Sequence, residues 1–290
     1  MELTHIAARS GRLSSFLREE MQISSGLMNR LKWQDRLFVN GIPVHTDYQV
    51  QPGDVITVPL DEPMPNYPAE DGPLTVLYED EYMLAVDKPA GMLIHPSRAR
   101  LTGTLANFVL GYYGRTGQSS AFHPLTRLDR DTFGVVLLAK NSHIHALLND
   151  LHLQGGFTKT YHALVFGGPD TDTGIIDAPI ARLPLPSLLR HVHPEGKPSV
   201  TEYAVLERQE GITKLALRPI TGRTHQLRVH CAHMGFPILG DPQYSTEDAT
   251  ALSSRLGLSS QLLCAKELSF SHPVTGIPLV IRSALDAERP

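Results

Sequence analysis

Apolar positions in the first sixty residues fall into short groups of different period. Leu13, Phe16 and Leu17 recur at helical spacing. Ser24 or Ser25 is placed to cap a second helix through Leu27, Met28, Leu31 and Lys32. Leu37-Phe38-Val39 then reads as a strand running into an Asn40-Gly41 turn, a pair that tolerates the positive φ of a tight hairpin. Residues 50–58 read as a Pro52-Gly53 turn followed by an alternating strand. From residue 75 onward the pattern is mixed. Apolar runs predict strands over 75–78, 83–86, 135–139, 159–167, 200–207, 214–218, 262–270 and 279–281. Helical spacing predicts helices over 104–112, 142–153 and 224–234, the last with Leu227, Cys231 and Met234 on one apolar stripe. Strands and helices interleave without strict alternation, which predicts an α+β fold around a mostly antiparallel sheet.

Between these two patterns lies a stretch of different composition. Residues 61–73 contain four prolines (Pro63, Pro65, Pro68 and Pro73) and little apolar content, as expected of an extended linker. The organisation expected is therefore a small unit at 1–60, a linker at 61–73 and a larger domain at 74–290, with no internal repeat. A chain of 290 residues is long enough to bury a substantial core. It holds no run of apolar residues long enough for a membrane-spanning helix, and its first residues lack the apolar core of a secretory signal. Two cysteines, Cys231 and Cys264, are expected as small core residues in a reducing compartment, which places the protein in the cytoplasm without a membrane partner. The net charge of −4 counts at first against a nucleic-acid partner. Yet residues 211–240 carry Lys214, Arg218, Arg223 and Arg228 with no acidic residue, so a basic face is expected there.

Two charged stretches stand out against this background. In Arg127-Leu128-Asp129-Arg130-Asp131-Thr132 an aspartate sits between two arginines just ahead of a buried strand. A half-buried carboxylate stays ionised only with opposite charge nearby, and Gly222-Arg223-Thr224-His225-Gln226-Leu227-Arg228 is arginine-rich enough to supply it. Asp131 competes with Asp129 for that role but falls two places later.

Five stretches in order widen the pattern: 87–97 (DKPAGMLIHPS), 127–141 (RLDRDTFGVVLLAKN), 159–167 (KTYHALVFG), 219–241 (PITGRTHQLRVHCAHMGFPILGD) and 271–279 (SHPVTGIPL). Together they resemble the pseudouridine synthases of the Arg-Leu-Asp type. Residues 11–60, with Val39-Asn40-Gly41 and Pro52-Gly53-Asp54, resemble the small RNA-binding module of small-subunit ribosomal proteins and tyrosyl-tRNA synthetases. The first resemblance implies isomerisation of uridine: the glycosidic bond is broken, the base rotated, and carbon 5 joined to the sugar. It implies Asp129 as the carboxylate at the sugar, either nucleophile or base, with Arg228 pairing to it through a two-pronged guanidinium and Tyr161 packing on the uracil. Arg127 is implied to fill the stack left by the flipped nucleotide, and flipping costs a few kcal/mol. Arg223, His225 and Lys159 are expected to contact the RNA, with Thr221-Gly222 as a helix start whose amides suit a phosphate. The second resemblance points to Arg30, Lys32 and Arg36. The expected partner is structured RNA, large-subunit ribosomal RNA first and tRNA second, with no cofactor, no metal and no obligate protein partner.

Thr126 stands where that family usually has histidine, and Phe133 where serine is common; the larger ring is expected either to narrow the pocket or to stack on RNA. Two other readings compete. Among fourteen histidines the pairs His143/His145, His191/His193 and His230/His233 suggest a metal-dependent hydrolase, although no H-E-x-x-H occurs. A non-catalytic RNA-binding or ribosome-assembly protein would keep the first unit and use the second for docking.

Overall fold

The computed structural model describes residues 2–60, 67–97, 100–184 and 186–288. The first sixty residues make a four-stranded antiparallel sheet with strands in the order β1 (Glu2–Ile6), β6 (Val55–Pro59), β3 (Phe38–Val39) and β4 (Ile42–Pro43). A short pair, β2 (Gly11–Arg12) with β5 (Gln49–Val50), lies beside it. Asn40 and Gly41 turn β3 into β4 with φ of 51° and 77°, the left-handed geometry that asparagine and glycine tolerate. Leu13, Phe16 and Leu17 are fully buried, as their spacing requires. They do not share one regular helix: α1 (Leu13–Ser15) passes into a π-helical turn at Phe16–Glu20. α2 (Ser25–Trp33) is capped by Ser24, whose hydroxyl accepts the Leu27 amide at 3.2 Å, and it buries Leu27, Met28 and Leu31. Strand β1 was not legible because its polar residues alternate with only partly buried ones; pairing with β6 creates it. The core of this unit comes from residues between Leu3 and Leu60.

The rest of the chain is organised on a ten-stranded sheet. Its main order is β12 (Thr173–Asp177), β15 (Val200–Gln209), β16 (Ile212–Pro219), β11 (Phe157–Phe166), β17 (Leu263–Ser271), β10 (Phe133–Ala139), β8 (Met83–Lys88) and β7 (Thr75–Glu79). Two short strands join off this path, β9 (His123–Pro124) on β10 and β18 (Pro278–Arg282) on β17. Among the described strands only β10 and β17 pair in parallel, so the fold is α+β with a mostly antiparallel sheet. At that parallel join Gly134 has φ of 107°, and a Cβ there would overlap the carbonyl of Ala265. No other residue type brings the two backbones so close.

Strand β10 is buried over its whole length because both faces are covered. Val136 and Leu138 pack toward α3 (Leu105–Arg115) with Leu84 and Val86. Val135, Leu137 and Ala139 pack toward α4 (Ser142–Leu153) with Ile144 and Leu148. Residues 61–66 of the expected linker lie outside the described residues. The following stretch rests on α3: Tyr67 and Leu74 pack against that core cluster, and the Glu70 amide donates to the Asn107 carbonyl at 3.0 Å.

The second half of the sheet carries α5 (Gln226–His233). This helix is shorter than the pattern predicted and differs in kind. It starts at Gln226, with His225 in left-handed geometry at φ 58°, and ends before Met234, which is 46% exposed. Six consecutive residues, Gln226 to Cys231, are buried, so there is no single apolar stripe. The helix is enclosed because it lies between the sheet and the small hairpin of β13 (Ile180–Arg182) and β14 (Arg190–Val192). α6 (Glu247–Arg255) follows, capped by Thr246. No helix among the described residues is long and apolar enough to cross a membrane.

Candidate active site

The loop between β9 and β10 carries Asp129 to the end of the sheet, where α5 presents Arg228. The Arg228 side chain is only 5% exposed, and a buried guanidinium needs its donors matched. Nε and Nη2 donate to the two carboxylate oxygens of Asp241 at 2.7 and 2.8 Å, Nη2 also to Gln243 Oε1 at 2.9 Å, and Nη1 to Asp129 Oδ2 at 3.0 Å. The Tyr244 ring lies 5.0 Å from the guanidinium carbon. Burial works against the charge on Arg228, but its bonds to Asp241 and then to Asp129 outweigh it and hold the pKa above its ordinary value. The expected pairing of Arg228 with Asp129 is present, but the two-pronged contact is made to Asp241. A carboxylate with 1% side-chain exposure can neutralise the arginine fully; Asp129, at 31%, takes the one donor that remains. Asp129 Oδ1 has no hydrogen-bond partner among the described residues, and Asp129 lines the opening beside it.

That opening is a cleft of about 580 Å³ lined by Thr126, Arg127, Asp129, Lys159, Tyr161 and the stretch 219–228. Tyr161, on β11, is half-buried, and burial together with the charge of Asp129 pushes its phenol up to about 12, so it stays protonated and able to donate. Lys159 lines the same wall, its ammonium lowered by burial, with His152 beside it. Arg127 is exposed at the mouth. His225 Nδ1 shares a hydrogen bond of 2.8 Å with the Tyr244 hydroxyl, and its Nε2 lies 3.9 Å from Asp129. Burial lowers the pKa of His225 more than the neighbouring carboxylates raise it. Arg223 is exposed, its Nε donating to the Pro198 carbonyl at 3.2 Å. The Arg223 amide, expected as part of a phosphate-binding helix start, is instead taken by Gln226 Oε1 at 3.0 Å, because the helix begins later than predicted. Arg30, Lys32 and Arg36 belong to the first sheet's α2 and its following turn and do not line this cleft.

Two further expectations are corrected. The basic face over 211–240 is largely neutralised by acids distant in sequence: Lys214 pairs with Asp286 at 3.1 Å, Arg218 with Glu202 at 3.5 Å, and Arg228 is buried. Phe133 does not line the cleft and, being buried, offers no open face for stacking. It is 9% exposed and packs with Leu164, Leu239 and Cys264, because the first residue of β10 points into the sheet's core. Thr126 does line the cleft. Asp131 accepts two bonds from Arg130, both at 2.9 Å.

Sequence reasoning missed two groups. Asp241 ends the fourth stretch, and only a buried arginine's need for a matched partner could have singled it out. Lys88 has no solvent exposure and donates to the carbonyls of Pro89, Met92 and Arg130 at 3.0, 2.9 and 2.8 Å. Burial drives its pKa down to about 8 against the opposing pull of Asp131 and Asp129. It ties the Asp129 loop to the end of β8. The histidine pairs do not gather ligands: no group of three or more His, Cys, Asp or Glu suited to a metal occurs among the described residues. His230 uses both ring nitrogens, at 2.9 Å to Thr201 Oγ1 and 3.0 Å to the Ala178 carbonyl. Both cysteines are buried, with thiols pushed up to about 12 chiefly by burial.

Residues 82–233 match the RNA pseudouridylate synthase family. Uncharacterized RNA pseudouridine synthase YjbO of Bacillus subtilis is 36% identical over 259 residues, covering 88% of this chain and 89% of its own. Ribosomal large subunit pseudouridine synthase D of Pasteurella multocida is 34% identical over 261 residues, covering 86% and 80%. Human RNA Pseudouridylate Synthase Domain Containing 1 shares the fold with a TM-score of 0.62 at 24% identity, covering 75% of this chain and 86% of that one. With an aspartate held half-exposed over a cleft and the family matched across the residues that build it, the chain belongs to the RNA pseudouridylate synthases, enzymes that isomerise uridine in RNA to pseudouridine.

Proposed function

We propose that Asp129 is the residue that acts at the sugar of a flipped-out uridine. The observation that carries this is how its carboxylate is held: Asp129 lines the cleft half-exposed, Oδ2 is fixed by Arg228 at 3.0 Å, and no described residue bonds Oδ1. A group so held is oriented before substrate arrives, and preorganised polar groups are where enzymes gain most. The reaction breaks the bond from the sugar carbon to N1 and forms one to C5; a proton leaves C5 and one is gained at N1, so no co-reactant is needed. Arg228 orients Asp129, and Tyr161 packs on the base with its hydroxyl still protonated. Arg127 at the mouth fills the space the flipped base vacates, offsetting part of the cost of flipping. Lys159, Arg223 and His225 contact the flanking RNA.

The unit at 1–60, joined through 61–73 to the catalytic domain at 74–290, binds the same RNA through Arg30, Lys32 and Arg36. Its separate sheet and core support this division. The target is large-subunit ribosomal RNA in the cytoplasm, with tRNA as the other substrate tested and no obligate protein partner. The name of the Pasteurella multocida relative supports this choice. Pseudouridine mapping in cells with and without the gene tests it. A site in large-subunit RNA lost on deletion and restored by the wild type, but not by Asp129→Ala, is expected. A site lost only from tRNA overturns the target, and restoration by Asp129→Ala overturns the role. Asp129 is half-exposed and Arg228 keeps its contact with Asp241 in this variant, so the stability lost is about 1–3 kcal/mol, that of one buried donor left unmatched.

A further inference from the structure

The chain has a single tryptophan, and it is the most exposed large apolar side chain among the described residues: Trp33, at the last position of α2, is 84% exposed. Residues 32–35 are all exposed, whereas Leu27, Met28 and Leu31 on the other side of the helix are buried. An indole packed in a core removes a large apolar area from water, so one left open contributes almost nothing to folding here. Its surroundings are polar: Lys32, Gln34 and Asp35 flank it, with Arg30 and Arg36 half-buried nearby. A hydrophobic protein interface needs a contiguous apolar patch, and this is one ring among charges. An open aromatic ring next to the exposed Lys32, with Arg30 and Arg36 three positions away on either side in sequence, is the combination that single-stranded nucleic acid fits: bases stack on the ring while phosphates meet the cations. The helix C-terminus carries partial negative charge, which disfavours a phosphate on its axis but not the face of a neutral base.

We propose that Trp33 is a stacking platform for an unpaired nucleobase of the RNA substrate, with Lys32, Arg30 and Arg36 taking the flanking phosphates. This rests on the reading that the unit at 1–60 binds RNA, and it adds the kind of RNA bound: a loop, bulge or end with an unstacked base.

Because the tryptophan is unique, its emission in the full-length Asp129→Ala chain reports this surface alone. Two probes are titrated, an RNA hairpin with an unpaired loop and a blunt duplex of the same stem, while filter retention measures total binding independently. The hairpin is expected to quench Trp33 emission saturably, in step with retention, and the duplex much less. Trp33→Ala is expected to bind the hairpin about tenfold more weakly, equivalent to about 1.4 kcal/mol and within the range for stacking one base. Trp33→Phe is expected to stay within about threefold, since a smaller ring still stacks. Hairpin retained without quenching, equal quenching by duplex, or undiminished binding by Trp33→Ala overturns the proposal and leaves the catalytic assignment standing. Quenching by RNA-free ribosomal protein but not by RNA overturns it in favour of a protein partner. No retention of either RNA refutes the RNA-binding reading of the unit beneath it, a result distinct from retention without quenching.

Discussion

The buried contact between Arg228 and Asp241 makes a prediction that separates stability from chemistry. Both side chains are almost fully removed from solvent, at 5% and 1%, so their interaction is little screened. Asp241→Asn replaces one of two acceptor oxygens with an amide that points donors at the guanidinium. Removing one partner of a buried pair costs about 3–5 kcal/mol, because the remaining charge is left uncompensated. At a few degrees per kcal/mol for a chain of this size, the melting temperature is expected to fall by roughly 10 °C. Turnover falls as well, since Arg228 loses the contact that aims Nη1 at Asp129. The double variant Arg228→Met/Asp241→Leu is the decisive comparison. Replacing a buried pair by apolar groups of similar volume is often neutral or stabilising, so this variant should melt well above Asp241→Asn while remaining inactive. Thermal melts by circular dichroism and single-turnover pseudouridine formation read the two quantities separately. If Asp241→Asn melts like the wild type, or the double variant retains activity, then Arg228 is not held in place by Asp241 and the proposed geometry of orientation is wrong.

Two other predictions follow from buried groups. Lys88 has its folded pKa lowered to about 8 from an ordinary value of 10.5. Above pH 8 the folded chain releases this proton while the unfolded chain keeps it. Lys88 therefore makes stability rise with pH from about 8 until the unfolded lysine also titrates. Urea melts at stepped pH should show a positive slope in the wild type relative to Lys88→Met between pH 8 and 9.5, below the range where tyrosines titrate; parallel curves would refute the assignment. Phe133→Ser restores the small residue common in the family but opens a cavity beside Leu164 and Leu239. It should lose about 3–5 kcal/mol of stability, by denaturant melts, while KM for RNA stays within about twofold; a changed KM with unchanged stability would place the ring in the cleft after all.

Local pattern was enough for most elements because their cores are local in kind. Continuous apolar runs become strands covered on both faces, as in β10, and Ser24 and Thr104 cap the helices that their spacing announces. The reading failed at α5, where periodicity predicts one apolar stripe and the structure buries six residues in a row. Helical period shows a face only when one side meets water, and here the hairpin of β13 and β14 covers the other side.

The order of five short stretches along the chain pointed to the chemistry and singled out Asp129, Tyr161 and Arg228, which the fold brings to one cleft. The nearness of Asp129 and Arg228, 99 positions apart in sequence, was an inference that tertiary structure realised at 3.0 Å. Which group satisfies the buried arginine, what holds the Asp129 loop from below, and where Phe133 points were decided only by folding. These depend on burial and on partners brought together across the sheet: Asp241 for Arg228, Lys88 beneath the loop, Asp286 for Lys214. A carboxylate's sequence position fixes that it can act, but the dielectric around it and the donors aimed at it exist only once the chain is closed.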